Sequence, residues 1–307
     1  MSSNILKTLS IPASSVAPLI GLDHYNNFAK IVCDIWAKFD KVEFARAKHA
    51  LTSHGINTAS DTELDRTSKI DAKYGLNITS AIKSVNSLKR SSEGIQQEQT
   101  ALIKQIKTNT NMTDTEKTDI IAQITSSTNK MHGVNNEADV LSYFESTQNC
   151  KIVSGQSSLT LNLGTSNITS STDNITYTTK WSISGRYDGL TNNNELVEAK
   201  KRVKGLFNVL RDYENIQVQL YLSALKLTSG YLIESYCKNT GDIQCNIIPV
   251  QRDDIILSTV ILPRLKGFIK FFGDFMGNSH WKNEILKGDN NRAIYNIYVT
   301  EYFPIHK

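Results

Sequence analysis

The sequence predicts an α/β (α+β) fold, a central mixed β-sheet flanked by helices and interrupted by a helical insertion. Three observations carry this. From residue 131 onward, helical and strand-like stretches alternate as helix, strands, helix, strands, helix, the order expected of helices packed on a mixed sheet. Residues 50–130 are polar, with only narrow apolar stripes. Residues 13–39 repeat apolar side chains at helical spacing. The 307 residues thus divide into 1–49, an N-terminal helical part; 50–130, a helical insertion or arm; 131–275, the sheet-bearing core; and 276–307, a C-terminal segment packing on that core.

The elements follow in order. Ala13-Ser14-Ser15 reads as an N-cap ahead of Val16, Leu19 and Ile20, with Gly21 closing that short helix. Phe28, Ile31, Val32, Ile35 and Trp36 give the next helix its apolar face. In the insertion, Ile82, Val85, Leu88, Ile95, Leu102, Ile103 and Ile106 mark long helices, and Thr113-x-x-Glu116 is a capping box before Ile120, Ile121 and Ile124. No heptad persists long enough for a coiled coil. Then come a helix at 137–146, strands at 151–153, 158–163 and 176–186, a turn at 191–194 and a strand at 195–200. A helix at about 205–227, strands at 230–237 and 243–250, and a helix at about 253–275 follow. Tyr295, Tyr298, Tyr302 and Phe303 read as a final strand.

Composition removes several classes of function. The chain is 39% hydrophobic and 21% charged, an ordinary globular balance. No apolar run reaches the ~20 residues that span a bilayer. The opening MSSNILKTLSIPASS lacks the basic-then-apolar order of a secretory signal, so an intracellular protein is expected. Four scattered cysteines (Cys33, Cys150, Cys237, Cys245) make neither a disulfide framework nor a zinc or iron–sulfur spacing. Cys237 and Cys245 flank a hairpin turn and read as a cross-strand pair of free thiols. A net charge of +4 is compatible with nucleic acid without arguing for it.

The chemistry concentrates in residues 181–202, WSISGRYDGLTNNNELVEAKKR. Leu196, Glu198 and Lys200 alternate along one strand and share a face, while Val197 and Ala199 point to the other. A Glu and a Lys on a buried strand are costly unless paired or bound to a metal. A hairpin brings Asp188 alongside. Two carboxylates suit Mg²⁺, with Mn²⁺ as a substitute, and the Ala199 carbonyl is an expected further ligand. Lys200 can then offset negative charge that develops in a transition state. The same three residues also fit a surface ion pair on a hairpin. Basic residues follow at once: Lys201, Arg202, Lys204 and Arg211. They fit either a groove that tracks a nucleic-acid backbone or, for Lys204 and Arg211, a solvated helix face.

Asp188…Glu198-Ala199-Lys200 resembles the core of the PD-(D/E)xK nucleases, with Tyr187 where these have Pro. Two further elements resemble the lambda-exonuclease and YqaJ-like viral recombinase (RecB-like) branch. Glu137 stands where that branch carries an acidic residue that supports a metal, and Gln217-Val-Gln-Leu-Tyr221 matches its Q-x-x-x-Y motif. The N-terminal IPASSVAPLIGLDHY is similar to the opening of the same branch, with Ser14 at the phosphate-binding position. The resemblance implies a restriction-endonuclease-like core and a Mg²⁺-dependent deoxyribonuclease, a 5′-3′ exonuclease on double-stranded DNA with a free end. It implies a role in recombination, repair or replication, a single-strand annealing partner and a ring-shaped trimer. The implied metal set is Glu137, Asp188, Glu198 and Ala199; Gln217 and Tyr221 are implied to point at the active site or the DNA backbone, and Ser14 at a phosphate, while Lys201 and Arg202 of the basic run are further expected DNA contacts. With the Asn-, Lys- and Ile-rich composition, it points to a large DNA virus or phage. Two rivals stand beside it: an endonuclease of the same fold, and a catalytically silent DNA-binding scaffold.

Overall fold

A computed structural model describes the chain except for residues 1–4, 24–27, 55, 57, 62, 87–90, 136, 241, 289–291 and 304–307; at 63–64, 84–86 and 130–135 it describes the backbone alone. His24 and Tyr25, which end the N-terminal segment singled out above, lie outside the described residues, as does Gly241 of the expected hairpin turn.

The core is a six-stranded mixed sheet. Its strands are β1 (Leu6–Pro12), β2 (Ile152–Thr169), β3 (Thr176–Thr191), β4 (Leu196–Lys201), β5 (Ser229–Cys237) and β6 (Ile243–Gln251). β3 is shared. One edge pairs with β2 along its whole length, from Thr176 to Thr191. The other edge pairs first with β1, in parallel, from Thr178 to Ser184, and then with β4, antiparallel, at Gly189 and Leu190. Between Ser184 and Gly189 that edge is a fork, and Asp188 sits in it. β4 and β5 run parallel, so a crossover helix must join them. That helix is α9 (Asp212–Leu225). β5 and β6 form an antiparallel hairpin.

The other helices are α1 (Val16–Leu19), α2 (Phe28–Phe39), α3 (Lys41–Thr52), α4 (Glu63–Tyr74), α5 (Ile78–Asn86), α6 (Ser92–Thr108), α7 (Asp114–Asn135) and α8 (Glu137–Gln148). After β6 come α10 (Asp254–Ile256), a π-helical stretch (Leu257–Ile261), α11 (Leu262–Met276), α12 (Ser279–Lys287) and α13 (Arg292–Tyr302). The main core lies between the sheet and α2, α11 and α13. Phe268, Phe271, Phe272 and Phe275 of α11 are fully buried against Phe28, Trp36, Trp181 and Tyr298. Each such ring contributes roughly 1.5–3 kcal/mol by leaving water. On the opposite side, Val140 and Phe144 of α8 pack against Val197, Ala199 and Ile233. β4 is therefore covered on both faces, and its Glu198 is buried.

Helices α4–α7 pack on one another. They enclose a separate cluster of Ile78, Ile82, Ile106, Met112, Ile120 and Ile124. Thr113 and Glu116 make the reciprocal bonds of a capping box. The region docks on the sheet through Ile95 against Val203, through Cys237 N donating to Ser92 Oγ (3.0 Å), and through Asn239 N donating to Glu93 Oε2 (2.7 Å).

Five expectations need correction. Residues 292–302 form a helix rather than a strand: Ile294 and Tyr298 recur at i, i+4 and are buried together, so helical period outweighs the strand preference of aromatic residues. The expected helix at 205–227 begins only at Asp212, because residues 202–211 form a loop with left-handed backbone at Asn208 (φ 59°) and φ +127° at Gly205. The stretches at 151–153 and 158–163 are one long strand, β2, with register shifts at Ile152/Ser154 and Asn162/Gly164. Ala13–Ser15 is a 3-10 turn with no side-chain cap bond, preceded by the seven-residue strand β1 where no strand was expected. Cys237 and Cys245 are free, and they lie diagonally rather than opposite: Cys237 pairs with Ile243 and Cys245 with Ser235. No helix among the described residues is long and apolar enough to cross a membrane.

α11 and α13 cross with backbone in contact, because a Cβ on Gly267 would lie 2.1 Å from the Tyr302 carbonyl oxygen. Gly267→Ala is therefore expected to destabilise the fold by roughly 1–3 kcal/mol. Urea denaturation reads this directly, and an unchanged midpoint would contradict the close crossing.

Candidate active site

Glu198 is the centre of the site. It lies on β4 with 2% of its surface exposed. Its Oε1 accepts from Lys200 Nζ (2.7 Å) and from Gln217 Nε2 (3.0 Å). Its Oε2 is buried and has no hydrogen-bond partner. A buried carboxylate oxygen without a donor is rare and calls for an explanation. Burial, followed by the Asp188 and Glu137 carboxylates, outweighs Lys200 and pushes the Glu198 carboxyl up to about 7. Lys200 is partly buried, which opposes its charge, yet the Glu198 carboxylate holds its ammonium above the usual lysine range.

Asp188 occupies the fork in the sheet. With no strand paired to it on that edge, its Oδ2 accepts the Ala199 N–H at 2.8 Å. The N–H and C=O of one strand residue point to the same edge. The Ala199 carbonyl therefore faces the fork as well. Glu137, at the start of α8, hydrogen-bonds Asp188, and Gln156 Nε2 donates to its Oε1. Burial first, and then Asp188 beside it, push the Glu137 carboxyl up to about 7, while Arg186 and Lys200 pull it back.

Gln217 and Tyr221, one turn apart on α9, meet the site from the helix side. Gln217 Nε2 also donates to the Tyr221 hydroxyl (2.9 Å). Tyr221 is 3% exposed and lies against Gly185, where a Cβ would come within 2.5 Å of its ring. It supports the site from beneath, the first of its two expected directions, and leaves little surface exposed. Ser14 is exposed in the 3-10 turn that follows β1, beside the fork. Lys201 alternates to the face opposite Lys200, near the Cys245 thiol.

Arg202 departs from expectation. It is 9% exposed, and its guanidinium grips Glu214 with two bonds (2.7 and 3.0 Å) and Glu234 with a third (2.8 Å). Glu234 also accepts the N–H groups of Phe207 and Asn208. Arg202 thus locks the loop after β4 and is not available to DNA. The signal was present in the sequence: a Glu inside the apolar strand YLIESYC requires a buried partner. Gln156, Arg186 and Gly185 were likewise not foreseen at the site.

The donor set fits a hard divalent cation. Two carboxylates and a carbonyl converge on the fork, one carboxylate oxygen is orphaned, and the excess of negative charge is what a cation offsets. Among the described residues no group of three or more His, Cys, Asp or Glu side chains is placed to hold a metal ion, so the candidate donors are two carboxylates and a backbone carbonyl.

No known family profile and no curated protein matches this chain. Several solved structures are similar at low score. A phage-related exonuclease from Haemophilus somnus 129PT has a TM-score of 0.39 and 10% identity, over 88% of this chain and 96% of that one. The alkaline exonuclease LHK-Exo of Laribacter hongkongensis has 0.34 and 11%, over 54% and 84%; it has also been solved with dAMP. SSO0001 has 0.30 and 16%, over 49% of this chain, which spans 63% of that one.

Two measurements check this geometry. Glu137 and Glu198 titrate near 7 when folded and near 4.5 when unfolded, so the native state binds more protons between these values. Their stabilising contribution is complete below about 4.5 and is lost as pH rises through about 7. In chelator, thermal melts should fall over that window, and Glu198→Gln should flatten the fall; an equal fall in both proteins would contradict it. Arg202→Gln leaves two buried carboxylates without their partner and should cost roughly 3–5 kcal/mol. A loss of DNA binding at unchanged stability would restore Arg202 to a DNA-contacting role.

Proposed function

We propose that this chain is a metal-dependent deoxyribonuclease of the PD-(D/E)xK kind, working through Asp188, Glu198 and Lys200. The observation that carries the reading is the buried, unpartnered Oε2 of Glu198 beside Asp188, a carboxylate oxygen left for a cation. Asp188, Glu198 and the Ala199 carbonyl would hold Mg²⁺ or Mn²⁺, with Glu137 supporting Asp188. Bound there, the ion supplies Lewis acidity at a phosphoryl oxygen and a bound water of lowered pKa.

The chain's own residues supply the rest. The Glu198 carboxylate raises the Lys200 ammonium above its ordinary range, so Lys200 would act as positive charge against a phosphorane-like transition state. Gln217 holds Glu198 Oε1 and thereby sets the direction of Oε2. Tyr221 fixes Gln217 in turn. The Ala199 N–H orients Asp188. Ser14 and the exposed bases beside the fork would meet the phosphate backbone.

The finer reading is a 5′-3′ exonuclease on double-stranded DNA with a free end, serving recombination, repair or replication. A single-strand annealing partner, a ring trimer, a viral or phage source and an intracellular setting belong to the same proposal. It rests on the motif order Glu137, Asp188, Glu198, Lys200, Gln217, Tyr221. The test is Mg²⁺-dependent release of nucleotides from end-labelled linear duplex, with 5′-phosphate, 5′-hydroxyl and closed-circular substrates alongside. The wild type should degrade linear DNA and spare circles, and Asp188→Asn and Lys200→Ala should lose at least ~100-fold in rate. Circles cut as fast as linear DNA would make it an endonuclease. DNA bound but not cut would make it a scaffold.

A further inference from the structure

The loop between β4 and α9 separates two arginines that look alike in sequence. Arg202 is consumed by Glu214 and Glu234. Arg211 has no carboxylate partner among the described residues. The ring of Phe207 contacts both: the Arg202 guanidinium lies 4.2 Å from its centroid and the Arg211 guanidinium 3.6 Å. The ring is itself fixed, because the N–H groups of Phe207 and Asn208 both donate to the buried Glu234 carboxylate (2.9 and 3.0 Å). Left-handed backbone at Asn208 and φ +127° at Gly205 shape the loop that holds it.

We propose that Arg211 is a binding residue for a phosphate of the DNA backbone, presented on Phe207 by the Arg202–Glu214–Glu234 network. The proposal deepens the nuclease reading and rests on it. A planar guanidinium stacked on a ring keeps its outer N–H groups free and loses little entropy when it grips a phosphate. Here the stack is built before DNA arrives. The buried Nε of Arg211 has no acceptor, so the group holds its place by stacking and leaves its charge unspent. Arg211 lies four residues after Phe207 and immediately precedes α9, the helix that carries Gln217 and Tyr221, so a phosphate bound there lies at the end of the element that shapes the candidate catalytic carboxylate. Of its neighbours along the chain, Asp212 is exposed and Glu214 is already taken by Arg202.

The test is equilibrium binding of a fluorescent duplex to the full chain carrying Asp188→Asn, measured over a salt series. Each phosphate contact adds about one to the slope of log K against log salt. Arg211→Ala should weaken binding and make the slope shallower by about one. Arg211→Lys should restore the slope but not the full affinity. Phe207→Leu should keep the slope and lower the affinity, since it removes the presenting ring and no charge. Melting curves should show each variant folded. An Arg211→Ala slope equal to that of the parent overturns the proposal and leaves the nuclease reading untouched. No duplex binding by the parent overturns both.

Discussion

β3 has to serve two strands along one edge, and the account of this protein follows from that constraint. β1 leaves β3 at Ser184 and β4 joins it at Gly189. The gap between them leaves backbone groups without a ladder. Asp188 fills the gap with its carboxylate and takes the Ala199 N–H that a strand would have taken. The same opening turns the Ala199 carbonyl toward Asp188 and places it next to Glu198. A topological feature of the sheet thus becomes a convergence of oxygen atoms.

That convergence is electrostatically unbalanced. Glu137, Asp188 and Glu198 face one full compensating cation, Lys200, with Arg186 at a distance. The neighbouring cluster sets two carboxylates, Glu214 and Glu234, against one cation, Arg202, and there the geometry is saturated: Arg202 makes three bonds, and backbone N–H groups take up more of the Glu234 oxygens. One cluster is closed and structural. The other keeps an unpartnered oxygen, Glu198 Oε2. The difference between them is the physical basis for assigning chemistry to one and support to the other.

Much of this was legible in the sequence. The two-residue spacing of Glu198 and Lys200 dictates a shared face, and the four-residue spacing of Gln217 and Tyr221 dictates a shared helix side. Those are local rules, and the structure unites these residues at distances of 2.7–3.0 Å. What escaped depended on distant partners. Arg202 looked like one more base in a basic run, because Glu234 lies 32 residues away on another strand. Tyr221 could face the site or DNA by spacing alone, and the space that its ring fills is left by Gly185 on another element. The helix α13 was hidden by its aromatic residues, whose strand preference is weaker than the burial of Ile294 and Tyr298 on one side.

The proposed mechanism requires Asp188 and Glu198 together to form a cation site. Titration of the full chain with Mn²⁺, followed by electron paramagnetic resonance, tests it without any substrate. Saturable binding by the wild type, lost in both Asp188→Asn and Glu198→Gln while circular dichroism shows both variants folded, is the predicted result. Equal binding by all three proteins, or none by the wild type, would contradict it.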